Sequence, residues 1–252
     1  MLTKSVENIN NSFFSGHYKD IWRSLIPEAL TRAEVDWLVE EAQLKPGSRV
    51  LDLMCGYGRH ALALARKGVE VTAVDNLADY INEVHSLAEN ENLRVRTVLE
   101  DVIRFETEAQ FDCAICMGNS LCFFDKDESA ELFHKIHSWL GAQGKFIFNS
   151  WTIAEIVIKQ FKEKAWGYAG ELKLLTDSRY VFSPARIETE AVIMAPDGSS
   201  EVKMSIDYIY SLNETENMLN ESGFRMKETW SIPGKKKFTI NEPRIYIVAE
   251  KI

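Results

Sequence analysis

Two closely spaced glycines between an acid and a helix form the part of this sequence best suited to hold a ligand. The segment from Val50 to Ala61 reads Val-Leu-Asp-Leu-Met-Cys-Gly-Tyr-Gly-Arg-His-Ala: an apolar strand contains Asp52, the chain turns at Gly56 and Gly58, and a helix follows. Glycine lets the backbone turn and approach a ligand where a side chain would clash. The start of the helix offers unpaired N–H groups and a partial positive charge. The pattern predicts a ligand-binding loop at the end of a strand.

The spacing of this loop leaves two ligand classes open. Gly56-x-Gly58-x-x-Ala61 also fits the dinucleotide fingerprint, which would indicate an NAD(P)-linked oxidoreductase. Asp52 lies four residues before Gly56 and favours a different ligand. A carboxylate beside the loop repels a pyrophosphate but attracts a cationic sulfonium ligand that carries a free amino group.

Composition and charge exclude several other functions. The chain has 252 residues, enough for one substantial core with an appended subdomain. Its formal net charge of -9 argues against a nucleic-acid partner, because binding nucleic acid requires a basic surface that neutralises the phosphates. No stretch approaches the ~20 apolar residues of a membrane span, and the segment from Met1 lacks an apolar signal core. We expect a cytoplasmic protein with no membrane partner.

The four cysteines do not form a pattern typical of a metal or redox site. Cys113 and Cys116 have the C-x-x-C spacing, but they fall in a predicted strand, where residues three apart point to opposite faces. Cys55 and Cys122 stand apart from them in the sequence. We expect reduced thiols in or near the core, and no metal.

Strands and helices alternate through the middle of the chain. Alternation of this kind predicts a parallel sheet with helices on both faces. The apolar runs predict strands over residues 49–53, 69–75, 94–99, 111–117 and 145–149. Helical spacing and terminal glycines predict helices over residues 61–67, 78–90 and 127–140, the last ended by Gly141.

Two regions flank this alternating unit. Upstream, Thr31-x-x-Glu34 is the pattern of a capping box and predicts a helix start, after an aromatic-rich stretch at 13–30 that is either a lid or an arm packed on the core. Downstream, period-two alternation over 172–210 predicts an antiparallel insertion of three or four strands. A second capping box, formed by Asn213 and Glu216, predicts a helix that ends at Gly223. Strands are expected after it at 224–231 and 244–250.

This order of elements and the glycine loop resemble the class I S-adenosylmethionine-dependent methyltransferases across essentially the whole chain. The resemblance implies an α/β fold: a doubly wound, Rossmann-like, seven-stranded sheet with an N-terminal helical arm and an antiparallel β insertion. The implied divisions are an arm and helix at 1–45, a methyltransferase domain at 46–168 and 211–252, and an insertion at 169–210 that covers the acceptor site.

The resemblance also implies which residues hold the cofactor. The family loop reads D-x-G-x-G-x-G, and here Met54 replaces its first glycine. The acid at the end of the second strand, which holds the ribose in this family, corresponds to Asp75, with Asn76 beside it. The acid and apolar residue after the third strand, which hold the adenine, correspond to Asp101 and Val102. Dinucleotide enzymes do not usually have this third acid, so it favours the methyltransferase interpretation.

The segment after the fourth strand is similar to that of glycine N-methyltransferase and related small-molecule enzymes. It reads Met117-Gly-Asn-Ser, and the similarity assigns Met117 to the cofactor and Asn119 and Ser120 to the acceptor side. The same relatives have a tryptophan and an arginine in the arm that reach the methionine part of the cofactor. Trp22 and Arg32 lie at matching places, with Arg23 and Tyr18 as alternatives.

The acceptor side has fewer signals. The chain has Asn149-Ser-Trp151 where the glycine-specific enzymes have an arginine, so Trp151 suggests a larger or less anionic acceptor. His60 lies at the loop and is a candidate for acceptor positioning, although packing or polarity at the helix start is the favoured explanation. Further candidates in the insertion are Tyr168, Arg179 and Tyr180.

We predict a methyltransferase that uses S-adenosyl-L-methionine, moves its methyl group to a small-molecule acceptor by in-line displacement, and releases S-adenosyl-L-homocysteine. The expected assembly is a monomer or homodimer. Two alternatives remain at this stage: an NAD(P)-linked oxidoreductase, and a protein that binds S-adenosylmethionine without catalysis.

Overall fold

A parallel β-sheet forms the centre of the molecule, and short apolar strands alternate with helices to build it. The computed structural model describes residues 8–252, so the first seven residues of the expected arm lie outside it. The first elements along the chain are α1 (Tyr18–Leu25), α2 (Glu28–Glu41), β1 (Arg49–Leu53), α3 (Arg59–Arg66), β2 (Glu70–Asp75), α4 (Ala78–Asn90), β3 (Val95–Leu99), β4 (Phe111–Cys116), α5 (Lys126–Trp139), β5 (Leu140–Ser150) and α6 (Ala154–Gln160).

The second half of the chain adds an antiparallel sheet and then completes the first one. Its elements are β6 (Lys164–Ala169), β7 (Leu172–Phe182), β8 (Ala185–Met194), β9 (Ser200–Tyr208), α7 (Leu212–Glu221), β10 (Phe224–Ile232), β11 (Lys236–Lys237) and β12 (Ile245–Lys251). The large sheet has the order β11-β10-β12-β5-β4-β1-β2-β3, and the small sheet has the order β6-β7-β8-β9. Seven long strands and the two-residue β11 thus form the predicted Rossmann-like sheet.

The parallel strands end at one edge of the large sheet. β1 pairs in parallel with β2 and with β4, and β2 pairs in parallel with β3. In this register Asp52 lies beside Ala73 on one side and Ile115 on the other. The segments that follow β1 to β4 therefore emerge together, which is where ligands bind in open α/β sheets.

A separate apolar core covers each face of the large sheet. Cys116 of β4 packs in the core that contains Trp139 of α5. Cys113 of the same strand packs in the core that contains Leu38 of α2 and Leu64 of α3. All four cysteines are free thiols. The prediction that the C-x-x-C pair points to opposite faces is confirmed.

Several predicted boundaries were wrong. The helix α2 begins at Glu28, so Thr31 and Glu34 lie inside it and are buried, and they do not form a capping box. The real capping box of α7 joins Ser211 and Glu214, two residues before the predicted one. β5 begins at Leu140, directly after α5, so Gly141 lies in a strand.

The N-terminal arm and the antiparallel insertion pack against each other. The insertion begins at Lys164, before the predicted boundary at 169, and has four strands. Ile21 of α1 packs against Ile193 of β8 in a small core of its own. The side chain of Asn10 exchanges two hydrogen bonds of 2.9 Å with the backbone of Ile206 in β9. These contacts make the arm and the insertion one covering layer.

None of the helices formed by residues 8–252 is long and apolar enough to cross a membrane.

Candidate functional site

A cavity of about 260 Å³ lies between the ends of the parallel strands and the covering layer. Small-molecule pockets span about 300–1,000 Å³, so this cavity is close to the lower end of that range. Its strand-tip wall consists of Met54, Cys55, Gly56, Tyr57, Asp75, Asn76, Glu100, Asp101, Val102, Met117 and Gly118. Its covering wall consists of Asn8, Asn10, Asn11, Phe13, Phe14, Tyr18 and Trp22 from the arm and Thr189, Ser205 and Asp207 from β8 and β9.

The two glycines of the loop are needed for different reasons. Gly56 has a φ of 56° and lines the cavity, and a Cβ built on it would meet no atom within 4 Å. Gly58 has a φ of 74°, and its Cβ would lie 2.5 Å from Cγ2 of Val84 in α4. The first glycine leaves room on the cavity side, whereas the second lets α3 and α4 pack closely. Gly58 does not line the cavity.

Met54 has a backbone conformation that favours glycine. Its φ is 53°, in the left-handed region that L-residues rarely adopt, and it lines the cavity. A strained non-glycine residue at such a place persists only where the surrounding structure enforces it. Met54 thus occupies the position of the family's first glycine in a conformation that glycine adopts readily.

Asp75 holds the loop in place through its carboxylate. Its Oδ2 accepts a hydrogen bond of 2.9 Å from the N–H of Gly56, and its Oδ1 accepts one of 3.0 Å from the N–H of Leu77. Burial raises the pKa of Asp75 to about 6, and these backbone hydrogen bonds oppose that shift. The neighbouring Asn76 is exposed and also lines the cavity.

Asp52 lies under the loop and does not line the cavity. Its carboxyl group is buried, and burial raises its pKa to about 7, with the Asp75 charge adding to the shift and Arg59 opposing it. Its Oδ2 has no hydrogen-bond partner among the residues that the structure describes. A buried carboxylate oxygen without a partner is costly, and a cationic ligand would relieve that cost.

Glu100, Asp101 and Val102 follow β3 and border the same cavity. Asp101 Oδ1 accepts a hydrogen bond of 2.9 Å from the N–H of Ile103, and its Oδ2 accepts one of 3.3 Å from Nδ2 of Asn11 in the arm. The structure thus brings Gly56, Asp75 and Asp101 to one wall, as the sequence predicts.

Asn119 lines the cavity, but its side-chain oxygen is fully used within the protein. Oδ1 of Asn119 accepts hydrogen bonds from Ser150 Oγ, from the N–H groups of Trp151 and Thr152, and from Thr152 Oγ1, at 2.8 to 3.2 Å. Asn119 was assigned to the acceptor side, but this oxygen has no free capacity for an acceptor. Asn119 ties the turn after β4 to the end of β5, while Ser120 and Met117 line the cavity.

Asn149 supports the same turn from the opposite side and was missed as a positioning residue. Its Oδ1 accepts hydrogen bonds of 2.7 and 3.1 Å from the N–H groups of Gly118 and Asn119. Its place two residues before Trp151, at the end of a buried strand, was the available signal.

His60 borders the cavity as part of a buried polar cluster. Its Nε2 lies 3.0 Å from Oε2 of Glu34, which also binds Arg59, and Oε1 of Glu34 accepts a 2.7 Å hydrogen bond from the Tyr246 hydroxyl. Burial and the Arg59 charge lower the pKa of His60 to about 4, so the ring is neutral near pH 7. Although burial opposes it, the hydrogen bond and charge of His60 and the Arg59 charge lower the pKa of Glu34 to about 2. Sequence reasoning missed Glu34 because its spacing from Thr31 imitates a capping box.

Of the two arm residues that the sequence assigns to the cofactor, one lies at the cavity. Trp22 lines the cavity and packs against Trp151, which also lines it, with ring centroids 5.7 Å apart. Arg32 lies outside the cavity, is exposed, and is 3.5 Å from Glu28 on the same helix. Its assignment to the cofactor is wrong, because α2 begins earlier than predicted and turns this residue to solvent. Of the alternatives, Tyr18 lines the cavity, and Arg23 stacks on Tyr57.

The insertion contributes different residues from those expected. Tyr168 is two-thirds exposed, Arg179 pairs with Glu188, and neither they nor Tyr180 line the cavity. The residues that do so are Thr189, Ser205 and Asp207. They were missed, although the alternation of apolar residues along β9 places Ser205 and Asp207 together on the opposite face.

The chain is similar to known methyltransferases. Residues 50–144 match the family model described as a methyltransferase domain. The chain is similar to the glycine/sarcosine N-methyltransferase of Aphanothece halophytica, with 25% identity over 66% of this chain and 64% of that protein. It is also similar to the 23S rRNA (uracil(1939)-C(5))-methyltransferase RlmD of Shewanella sediminis (strain HAW-EB3), with 26% identity over 58% of this chain and 26% of that protein.

A solved structure shares the fold over nearly the whole chain. The CcbJ methyltransferase from Streptomyces caelestis superimposes with a TM-score of 0.81 at 18% identity, covering 96% of this chain and 98% of that one. The two curated relatives are matched over less than two-thirds of their own length. The predicted alternative of an NAD(P)-linked oxidoreductase is set aside, because the family model and these relatives are methyltransferases. Residues 50–144 thus match a methyltransferase domain, and the whole chain has the fold of solved S-adenosylmethionine-dependent methyltransferases.

Proposed function

We propose that this protein binds S-adenosylmethionine at the strand-tip wall, transfers the methyl group to a small molecule held under the covering wall, and releases S-adenosylhomocysteine. The observation that carries the proposal is the placement of buried or half-buried carboxylates after successive parallel strands around a glycine with free space at its Cβ position. A cationic ligand with a ribose and an adenine matches these groups in sign and in hydrogen bonding.

The residues of the strand-tip wall have distinct roles in this proposal. Asp75 accepts from the ribose hydroxyls while it keeps its bonds to Gly56 and Leu77. Asp101 accepts from the adenine amino group, and Val102 packs on the ring. The negative charge of Asp52, whose Oδ2 has no partner in residues 8–252, favours the cationic methionine end.

Catalysis in this site consists of positioning. S-adenosylmethionine, when bound, supplies a methyl group that is already activated by its sulfonium centre. The protein holds the acceptor in line with that group and keeps water out, and such orientation supplies about 7–11 kcal/mol of a barrier. Trp22 and Trp151 close one side of the cavity by packing on each other. His60 is neutral, and its Nε2 already lies within hydrogen-bond distance of Glu34.

The acceptor is small in this proposal because the arm and β8–β9 cover the cavity. The relative RlmD is named for an action on rRNA, but the net charge of -9 here does not suit a nucleic-acid surface. The glycine/sarcosine enzyme is named for small amino-acid acceptors. A cytoplasmic location and a monomeric or homodimeric assembly stay predictions from the sequence.

Calorimetry separates the ligand classes. The wild-type protein is titrated with S-adenosylmethionine, S-adenosylhomocysteine and NAD, and we expect binding of the first two. Tight binding of NAD alone would overturn the proposal. Production of S-adenosylhomocysteine with a panel of metabolites then distinguishes an enzyme from a protein that only binds the cofactor.

A further inference from the structure

Asp207 is the one acidic residue that the described part of the covering wall brings to the cavity. It lies on β9, opposite Ile187 of β8, on the face that also carries Ser205 and Thr189. Its Oδ1 accepts a hydrogen bond from Sγ of Cys122 at 3.2 Å, and no basic residue pairs with it in residues 8–252. Burial raises its pKa to about 6, so it is a carboxylate near pH 7.

The surroundings of Asp207 suit a cation that carries apolar groups. The covering wall adds the rings of Phe13, Phe14 and Trp22 to the cavity, and aromatic faces attract cations. The titratable groups that face Asp207 are Tyr18 and Cys122. Burial and the charge of Asp207 raise the pKa of Tyr18 to about 12, and burial raises that of Cys122, so both stay neutral.

The cavity offers an anionic acceptor no free counter-ion. Among the described residues that line it, Arg59 is the sole arginine and there is no lysine. The Arg59 guanidinium is already bound to Glu34 and to Thr31 Oγ1 on α2. A carboxylate or phosphate on the acceptor would lie near the Asp207 carboxylate with no free cation to offset the repulsion. Binding of such an acceptor would therefore be disfavoured.

We propose that the methyl acceptor is an amine that enters as an ammonium ion, and that Asp207 pairs with that ion and takes up its proton before methyl transfer. This inference rests on the proposed function. The ammonium N–H bond breaks and its proton passes to the Asp207 carboxylate. The freed nitrogen lone pair then forms the N–CH₃ bond as the CH₃–S bond breaks, and that electron pair remains on sulfur as a neutral thioether. The product nitrogen carries the positive charge, and Asp207 returns its proton to solvent.

The test measures binding, independently of turnover. The protein is first titrated with S-adenosylhomocysteine and then, saturated with it, with a panel of arylalkylamines of increasing size. Each amine is paired with the alcohol or ether of the same shape. We expect at least one amine to bind the wild type at least tenfold more tightly than its uncharged partner.

Variants at position 207 identify the source of that preference. Asp207→Asn keeps an oxygen for the Cys122 thiol and should remove the preference, whereas Asp207→Glu should retain part of it. Glu190→Gln, an exposed change on the neighbouring strand β8 that removes the same charge outside the cavity, should leave it intact. Thermal unfolding of each variant checks that it folds, and each should bind S-adenosylhomocysteine as the wild type does.

The two proposals fail in different ways. If the wild type does not bind S-adenosylhomocysteine, the proposed function is wrong and this inference falls with it. If it binds, but no amine is preferred over its uncharged partner, or Asp207→Asn keeps the preference, only this inference is wrong.

Discussion

The two walls of the cavity are built by different physical means. On the strand-tip wall, Asp75 and Asp101 each accept a hydrogen bond from a backbone N–H two residues further on, and Asp75 accepts another from the N–H of Gly56 in the loop after β1. On the covering wall, Asp207 accepts one hydrogen bond from a thiol that is 85 positions distant in the sequence. The first wall is fixed by local backbone geometry, and the second by how two sheets pack. Local geometry suits a constant ligand, whereas the packed layer can change with the acceptor.

The largest expected effect concerns the cluster that anchors the strand-tip wall. Glu34→Ala removes the carboxylate shared by Arg59, His60 and Tyr246 and leaves a mostly buried guanidinium unpaired. Removing one partner of a buried pair costs about 3–5 kcal/mol, so the free energy of unfolding in urea should fall by that amount. Glu40→Gln, an exposed change on the same helix, should have almost no effect. A loss below about 1 kcal/mol for Glu34→Ala would show that this cluster does not anchor the wall.

The two loop glycines provide the next comparison. Gly58→Ala combines left-handed backbone strain with a clash against Val84 and should lower the free energy of unfolding by about 2–4 kcal/mol. Gly56→Ala carries only the backbone strain, about 1–2 kcal/mol, but should weaken S-adenosylhomocysteine binding more than Gly58→Ala does.

Gly47 is the matched control for backbone strain, because it has a φ of 89° and no atom within 4 Å of its Cβ position. Gly47→Ala should cost as much stability as Gly56→Ala and leave binding unchanged. Equal loss of binding in the Gly56→Ala and Gly47→Ala proteins would mean that no ligand approaches Gly56.

The same division explains what the sequence could predict. The five strands from β1 to β5 and the acids that follow them were predicted from apolar runs and turns, since these signals are local. Arg32 was misplaced because the start of α2 depends on Pro27 and on packing, and the Thr31–Glu34 spacing indicated a later start. Asn119 has a residue type suited to acceptor contact, but four donors from the β5 end occupy its oxygen. Asp207 escaped prediction because only the packing of β9 over the strand tips makes it part of a site.

Asp75 permits a test of the strand-tip wall by pH. Its carboxylate is the form that accepts from ligand hydroxyls, and its pKa of about 6 means that it becomes protonated as pH falls. Affinity for S-adenosylhomocysteine should therefore rise from about pH 5 to about pH 7 and then level off. Asp75→Asn should lower the affinity at pH 8 about tenfold, or 1.4 kcal/mol.

Asp52, with a pKa of about 7, titrates in the same pH range as Asp75. The slope of affinity against pH must therefore be compared between the wild type and variants. Asp75→Asn should flatten the slope, and the exposed Asp79→Asn on α4 should reproduce the wild type. A slope that is unchanged in Asp75→Asn would assign the titration to Asp52.

The smallest expected effect tests one of the contacts between the two walls. Trp22 belongs to the arm and Trp151 follows β5, and their rings lie 5.7 Å apart at 40°. Aromatic pairs of this kind contribute about 0.5–1.5 kcal/mol beyond their burial. A double-mutant cycle with Trp22→Ala and Trp151→Ala should give a coupling of that size in urea unfolding. A cycle of Trp22→Ala with Trp166→Ala, which removes an exposed tryptophan on β6, should give none. Because α1 packs on β8 through Ile21 and Ile193 as well, loss of the tryptophan pair should loosen the covering wall without unfolding it. A coupling near zero would mean that the Trp22–Trp151 pair does not help to hold the two walls together.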